Sequence, residues 1–444
     1  MCKRFALCST LLVAACQFAV WLSPAAGQGV PKRTWLPAKA YCVPKETATE
    51  GEGYFAIIEG HNGRLYIGTH ANAVNSWLVE FDPANASGPN QGMKIVVDAH
   101  KAIGIDLKGF GAQSKIHTRN NTGKLTGKIY FGTKQGYPNE KEKREDYPGG
   151  YPMAYDPATG TTEVFPIPVP HHGINSIMPD EARGIAYIST CSDHRPGPLE
   201  NAVFLILDLK TKKYRELLDT NHYYGFIVID YKGRAYHPIL GGQIARYDPS
   251  TDKLERLNQT IDGKPPTDAS RVALEKPDPL NWDMSPDGKT LYCVPMDANH
   301  LIAYDLTAEG NTIPGRTVGT LIPGAKGTDC RAMSVGPRGD VWCSITEEEN
   351  GLEGISNLHH LVRYHPGDKE PVDLGPVSVT NPDFTQFKGA DGKDLPFHGG
   401  FAKLADGTTT TRYVTMGVCE TKAGKVYAMV LHPYTAVEIT PPKP

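Results

Sequence analysis

The chain has 444 residues, 40% of them apolar, 21% charged and 9% aromatic, and its formal net charge is −3. An ordinary apolar fraction without a block of like charge excludes a disordered, collagenous or multi-span membrane chain, and near-neutral charge gives no general attraction to nucleic acid or to an anionic bilayer. The 46 glycines and 36 prolines suit many short strands joined by tight turns better than long helices.

Residues 1–27 open with Lys3 and Arg4, continue through the apolar run Leu11-Leu12-Val13-Ala14-Ala15, and end in Ala25-Ala26-Gly27. That layout predicts a secretory signal cleaved near Gly27, so that 28–444 is the mature chain, secreted or periplasmic. Val13-Ala14-Ala15-Cys16 offers the alternative of a lipoprotein box with Cys16 lipidated. No later stretch is long and apolar enough to span a bilayer. Beyond the leader stand Cys42, Cys191, Cys293, Cys330, Cys343 and Cys419, dispersed and without a CxxC pair, so the core rather than a disulfide scaffold must hold the fold. Cys293 in Leu-Tyr-Cys-Val and Cys343 in Val-Trp-Cys-Ser read as buried strand residues.

A repeat runs along the chain. Short β-type runs with an aromatic second residue recur as Leu65-Tyr66-Ile67-Gly68, Ile129-Tyr130-Phe131-Gly132, Ala186-Tyr187-Ile188, Ala235-Tyr236-His237, Leu291-Tyr292-Cys293, Val341-Trp342-Cys343 and Val426-Tyr427-Ala428. Polar turns with glycine precede them, such as His61-Asn62-Gly63-Arg64 and Pro286-Asp287-Gly288-Lys289, where glycine supplies the positive φ of a hairpin. A third run follows and ends in a turn of the type aromatic-Asp-Pro, as in Tyr155-Asp156-Pro157 and Tyr247-Asp248-Pro249, with His365 in the aspartate's place in Tyr364-His365-Pro366. Four strands recurring about every 50 to 60 residues predict an all-β chain folded as a single closed β-propeller. Seven four-stranded blades are expected near 54–98, 112–168, 173–219, 223–260, 279–323, 327–380 and 413–440. The last has only three strands, so a strand within Arg33 to Val43 is expected to close it. An eighth blade built from 381–412 is the alternative.

Propeller topology sends the starts of innermost strands and the ends of their neighbours to one face. His117, Tyr224, His237, Lys134 and Arg331 are therefore candidate catalytic residues, and His172, His222, Tyr223, Asn281 and His398 candidate substrate-binding residues. Histidine titrates near neutrality and ligates metals, so the cluster suits acid–base chemistry or a divalent metal. Tyr137 and Tyr147 flank the charged insertion Lys141 to Asp146 and suit a sugar-stacking lip. No P-loop, GxGxxG after a strand, HExxH, GxSxG or CxxCH occurs, which argues against the usual nucleotide, zincin, serine-hydrolase and c-haem chemistries.

The run Lys-Ile-His-Thr at 115–118, followed by Lys128-Ile129-Tyr130-Phe131-Gly132-Thr133, resembles secreted bacterial propeller proteins that are similar in architecture to ulvan, oligogalacturonate and streptogramin lyases. The resemblance implies an enzyme on carbohydrate, a polysaccharide lyase that cleaves a uronate-containing glycan by β-elimination. In such lyases histidine, tyrosine and a cation share a central groove; His117, Tyr224 and His237 would fill those roles here, with Lys134 or Arg331 as the cation. A non-catalytic propeller that binds a polysaccharide, oligosaccharide or protein through the same face is the competing reading.

Overall fold

The computed structural model describes residues 34–48, 56–87, 89–192, 202–220, 226–239, 242–266, 280–295, 298–348, 357–381, 385, 387–389, 391–395, 397–412 and 417–442. The leader lies outside these residues. The described chain is all-β with several sheets. None of its helices is long and apolar enough to cross a membrane.

Strands follow one another as antiparallel meanders of four. The first unit is Ile57–Glu59, Leu65–Gly68, Trp77–Phe81 and Met93–Asp98; the second is Asn121–Thr122, Ile129–Gly132, Pro152–Asp156 and Thr161–Val164. Gly173–Asp180, Ile185–Cys191, Ala202–Asp208 and Tyr214–Thr220 make the third. The fourth (Val228–Ile229, Ala235–Ile239, Gln243–Asp248, Lys253–Ile261) and fifth (Leu280–Met284, Thr290–Pro295, His300–Asp305, Thr312–Thr320) merge into one eight-stranded sheet, because Asn258 to Ile261 pair in parallel with Thr312 to Gly315.

The sixth unit (Asp329–Val335, Val341–Glu348, Asn357–Tyr364, Val372–Val379) and the last (Val418–Glu420, Val426–Val430, Thr435–Ile439) belong to an eleven-stranded sheet. Leu36–Cys42 supplies the fourth strand of the last unit, pairing antiparallel from Ala38↔Ile439 to Cys42↔Thr435. Its start also runs parallel to Val377 to Val379. Within 381–412 the described residues form three short strands, of which Thr409–Thr411 adds to the sixth unit through Ser378.

The repeated motifs have physical work to do. Each aromatic second residue is buried, and most give their polar atom to an acidic side chain: Tyr66 to Glu80 (2.8 Å), Tyr130 to Glu181 (3.1 Å), Tyr236 to Asp230 (2.8 Å), Trp342 to Glu420 (3.0 Å) and Tyr427 to Glu438 (2.8 Å). A large ring with a satisfied polar tip fills a core without leaving an orphan donor. The aspartate turns close through their own carboxylates: Asp156 accepts from the Ala158 amide at 2.8 Å and Asp248 from that of Ser250 at 2.8 Å. Gly68 and Gly132 end equivalent strands, and a Cβ on either would come within 2.5 Å of Ile116 or Ile174 in the following segment. Glycine there lets consecutive units pack closely.

Apolar clusters are shared between consecutive units. Ile129 and Tyr155 pack with Tyr66 and Leu78, Ile174 and Ile188 with Tyr130, and Trp282 and Leu291 with Tyr236. Tyr41, Ile67 and Phe81 join Tyr427 and Met429, linking the first unit to the last. First strands are also tied to one another by side-chain bonds, among them Thr122 to the Glu59 carbonyl (3.0 Å), Asn121 to the Ile177 carbonyl (2.7 Å) and Asp283 accepting from the Val335 amide (2.8 Å). Cys293 and Cys343 are buried strand residues, and Cys42, Cys191, Cys293, Cys330, Cys343 and Cys419 are all free thiols.

Candidate active site

Three chain segments bring polar side chains together where the first three units meet. His70 follows the second strand of the first unit, Lys115 precedes the first strand of the second, and Lys134 follows that unit's second strand. Isolated antiparallel bridges pair His70 with Lys115 and Lys115 with Lys134. The Lys115 amide donates to the Lys134 carbonyl at 3.0 Å and the Lys134 amide to the Lys115 carbonyl at 2.8 Å. Residues opposite one another in such pairs project their side chains to the same side, so His70, Lys115 and Lys134 form one row.

All three are buried, as are His117, His172 and Cys191 nearby in the chain's packing. The Lys115 ammonium stands 3.5 Å from the centroid of the Tyr137 ring, whose face carries negative charge, and the His70 ring meets the same tyrosine edge-on at 5.8 Å. Lys134 Nζ donates to Cys191 Sγ at 3.0 Å. Gly173 makes room for that lysine: a Cβ there would lie 2.4 Å from Lys134 Cγ. His172 Nδ1 lies 2.9 Å from Thr190 Oγ1, which also accepts from the Val203 amide at 3.1 Å. Behind the row, the Tyr147 hydroxyl donates to Gln113 Oε1 at 2.8 Å, and burial holds that phenol well above its ordinary range, so it stays neutral. The region thus gathers two lysines and their neighbouring histidines around the Tyr137 ring.

Of the residues singled out in the sequence, the structure places His117, Lys134 and His172 in this region. Asn281 is buried elsewhere: its Nδ2 donates to the Cys330 carbonyl at 2.7 Å, and it lines a cavity of about 280 Å³ between first strands. His237 meets the third unit through Ser189, two residues from the Cys191 that Lys134 bonds. It is wholly buried between the third and fourth units, its ring stacked on Phe204 at 5.2 Å. Its Nδ1–H donates to the Pro238 carbonyl at 2.7 Å, which leaves Nε2 to accept from the Ser189 hydroxyl at 2.8 Å. Burial pushes its pKa down to about 4, the Pro238 bond opposing only in part. A neutral, doubly bonded imidazole is a packing element rather than a base. His222, Tyr223 and Tyr224 lie outside the described residues, as do the side chains of Arg331 and His398.

Lys115 and His70 were missed as site residues, although Lys115 stands two residues before His117 in the quoted motif. The equivalence of His70 and Lys134, each two residues beyond a Gly that ends a second strand, was the available signal. Among the described residues no three His, Cys, Asp or Glu side chains gather to hold a metal ion.

No family model and no curated protein matches the chain. Solved structures do. A streptogramin B lyase structure aligns over 91% of this chain and 97% of its own, at 13% identity and a TM-score of 0.51. A structure of the mitotic checkpoint complex aligns over 97% of this chain and 100% of its own, at 7% identity and a TM-score of 0.50. At these identities the likeness is one of fold, and it gives the chain a propeller-like all-β architecture.

Proposed function

We propose that this chain is an exported, closed seven-bladed β-propeller that acts as a polysaccharide lyase on a uronate-containing glycan. The apolar cluster joining Tyr41 and Phe81 to Tyr427, and the bonds between first strands, support ring closure. The export reading rests on the composition of residues 1–27.

The observation that carries the chemistry is the row His70, Lys115 and Lys134 beside His117 and Tyr137. Lys115 and Lys134, opposite one another in the bridge, would neutralise a substrate carboxylate while negative charge builds on it. An uncharged His117 would take the proton from the carbon bearing that carboxylate, the C–H electrons would form the new C=C bond, and the glycosidic C–O bond would break. The Tyr137 phenol would return a proton to the leaving oxygen. His237 has no part in this scheme.

Incubation with uronate polysaccharides, followed by absorbance of the unsaturated product, tests the reading. Turnover that falls in Lys134→Gln and His117→Ala supports it. Retention on an immobilised glycan without any new chromophore would replace it by the non-catalytic binding role.

A further inference from the structure

We infer that the cavity between the first strands is a second ligand site, separate from the polar row, and that it takes a small hydroxylated carboxylate the size of one monosaccharide. At about 280 Å³ it lies near the lower end of small-molecule sites, which run from roughly 300 Å³ upward, so it admits one ring and not a chain. Arg119, four residues beyond Lys115, crosses it. This side chain leaves the second unit and reaches the fifth, where Nη1 donates to the Trp282 carbonyl at 2.7 Å and Nη2 pairs with Asp283.

Asp283 is itself fixed, accepting from the amides of Met284 (2.7 Å) and Val335 (2.8 Å), so the guanidinium is held in one pose. A guanidinium has five N–H groups, and two acceptors leave donors to spare for a ligand. Two further polar atoms at the cavity wall have no partner. Asn120 is 1% exposed; its Oδ1 accepts from the Thr118 hydroxyl at 3.0 Å, while its Nδ2 is buried and unsatisfied. Ser334 Oγ is likewise buried and unsatisfied. An unpaired buried polar atom is unfavourable, and a ligand oxygen would remove that cost.

Arg119, Asn120 and Ser334 thus line one cavity and suit an oxygen-rich anion, because the carboxylates that share the lining are engaged, Asp283 by Arg119 and Glu420 by Arg338 and Trp342. Glu59, engaged through Oε2 by the Lys422 amide at 2.9 Å, supplies an acceptor for a hydroxyl, and Ile57 and Met333 give an apolar wall for the C–H face of a ring. The inference does not rest on the lyase reading, because none of these residues belongs to the row.

Calorimetric titration of the full-length protein with D-glucuronate, and with D-glucose as its uncharged counterpart, is the test. Saturable glucuronate binding with a Kd below about 10 mM, and at least about tenfold weaker binding of glucose, are expected. Asn120→Asp keeps the acceptor for Thr118 but turns the unpaired amide into an anionic oxygen, and it should weaken glucuronate at least about tenfold. Ser334→Ala removes a hydroxyl that bonds to nothing, so folding is retained while affinity falls about three- to tenfold. The absence of saturable binding to the unaltered protein, equal binding of glucose, or full affinity in Ser334→Ala would each overturn the inference.

Discussion

Replacing Asn381 by alanine should loosen the N-terminal strand, and the size of the effect can be worked from the bonds it makes. The parallel pairing of Leu36–Cys42 with the sixth unit ends at Ala38↔Val379, while the antiparallel pairing on the other side continues to Cys42. Ala40, with no exposed surface, is left with an outward amide and carbonyl and no strand to meet them. The Asn381 side chain takes that place: Oδ1 accepts from the Ala40 amide at 2.8 Å and Nδ2 donates to the Ala40 carbonyl at 2.9 Å. Removing both bonds leaves two backbone groups unsatisfied, at about 1–3 kcal/mol each if water stays out. Asn381 is only partly buried, so water will reach the gap and the lower end applies, about 2 kcal/mol in all. Exchange of the Ala40 amide with solvent deuterium should then speed up by about thirtyfold, if it opens with this strand, and the melting temperature should fall by about 2 °C. Asn381→Asp should do no better, since a carboxylate accepts from the amide but confronts the carbonyl with a second acceptor. Unchanged Ala40 exchange together with unchanged melting in Asn381→Ala would refute the reasoning.

Three further outcomes are expected. His117→Ala should lower turnover on a uronate glycan by roughly two to four orders of magnitude, as for loss of a positioned base, while circular dichroism stays as in the parent; parent-like turnover would remove His117 from the chemistry. His237, held at a pKa of about 4 by burial against about 6.5 when unfolded, binds fewer protons folded than unfolded, so its contribution is complete above pH 6.5 and is lost as pH falls towards 4. That contribution reaches about 3 kcal/mol, and denaturant titrations of His237→Gln, which can still bond to Ser189, should show a flatter loss of stability between those pH values. Gly173→Ala places a methyl against Lys134 Cγ and should cut turnover more than it lowers melting, which parallel activity and calorimetry will read.

What the sequence makes legible here is what is local. A tyrosine or tryptophan second in each short run, an aspartate at the turn after the third strand in the first five units and glycine before the hairpins recur because every unit solves the same packing problem on its own. Even the N-terminal strand is legible, since Val418–Glu420, Val426–Val430 and Thr435–Ile439 are one strand short of a unit. The parallel pairings of Lys253–Ile261 with Thr312–Thr320, and of Leu36–Cys42 with Val372–Val379, are not legible, because they join the outer strands of different units and leave no mark in the repeat.

His237 shows why register alone misplaces a site. The end of a second strand fixes which rim a residue approaches, but both faces of each sheet are covered by neighbouring units. Tyr236 accordingly packs with Trp282 of the fifth unit, and His237, pointing the other way, packs on Phe204 of the third. Lys134 stands past the end of a second strand, whereas first strands are sheet edges that leave polar groups unpaired by a neighbouring strand. Asn281 was singled out from a first strand and does line the cavity; Arg119, Asn120 and Ser334, from the same class of strand, line it with donors still to spend. The polar residues of first strands are thus the ones whose chemistry the packing of this fold leaves open.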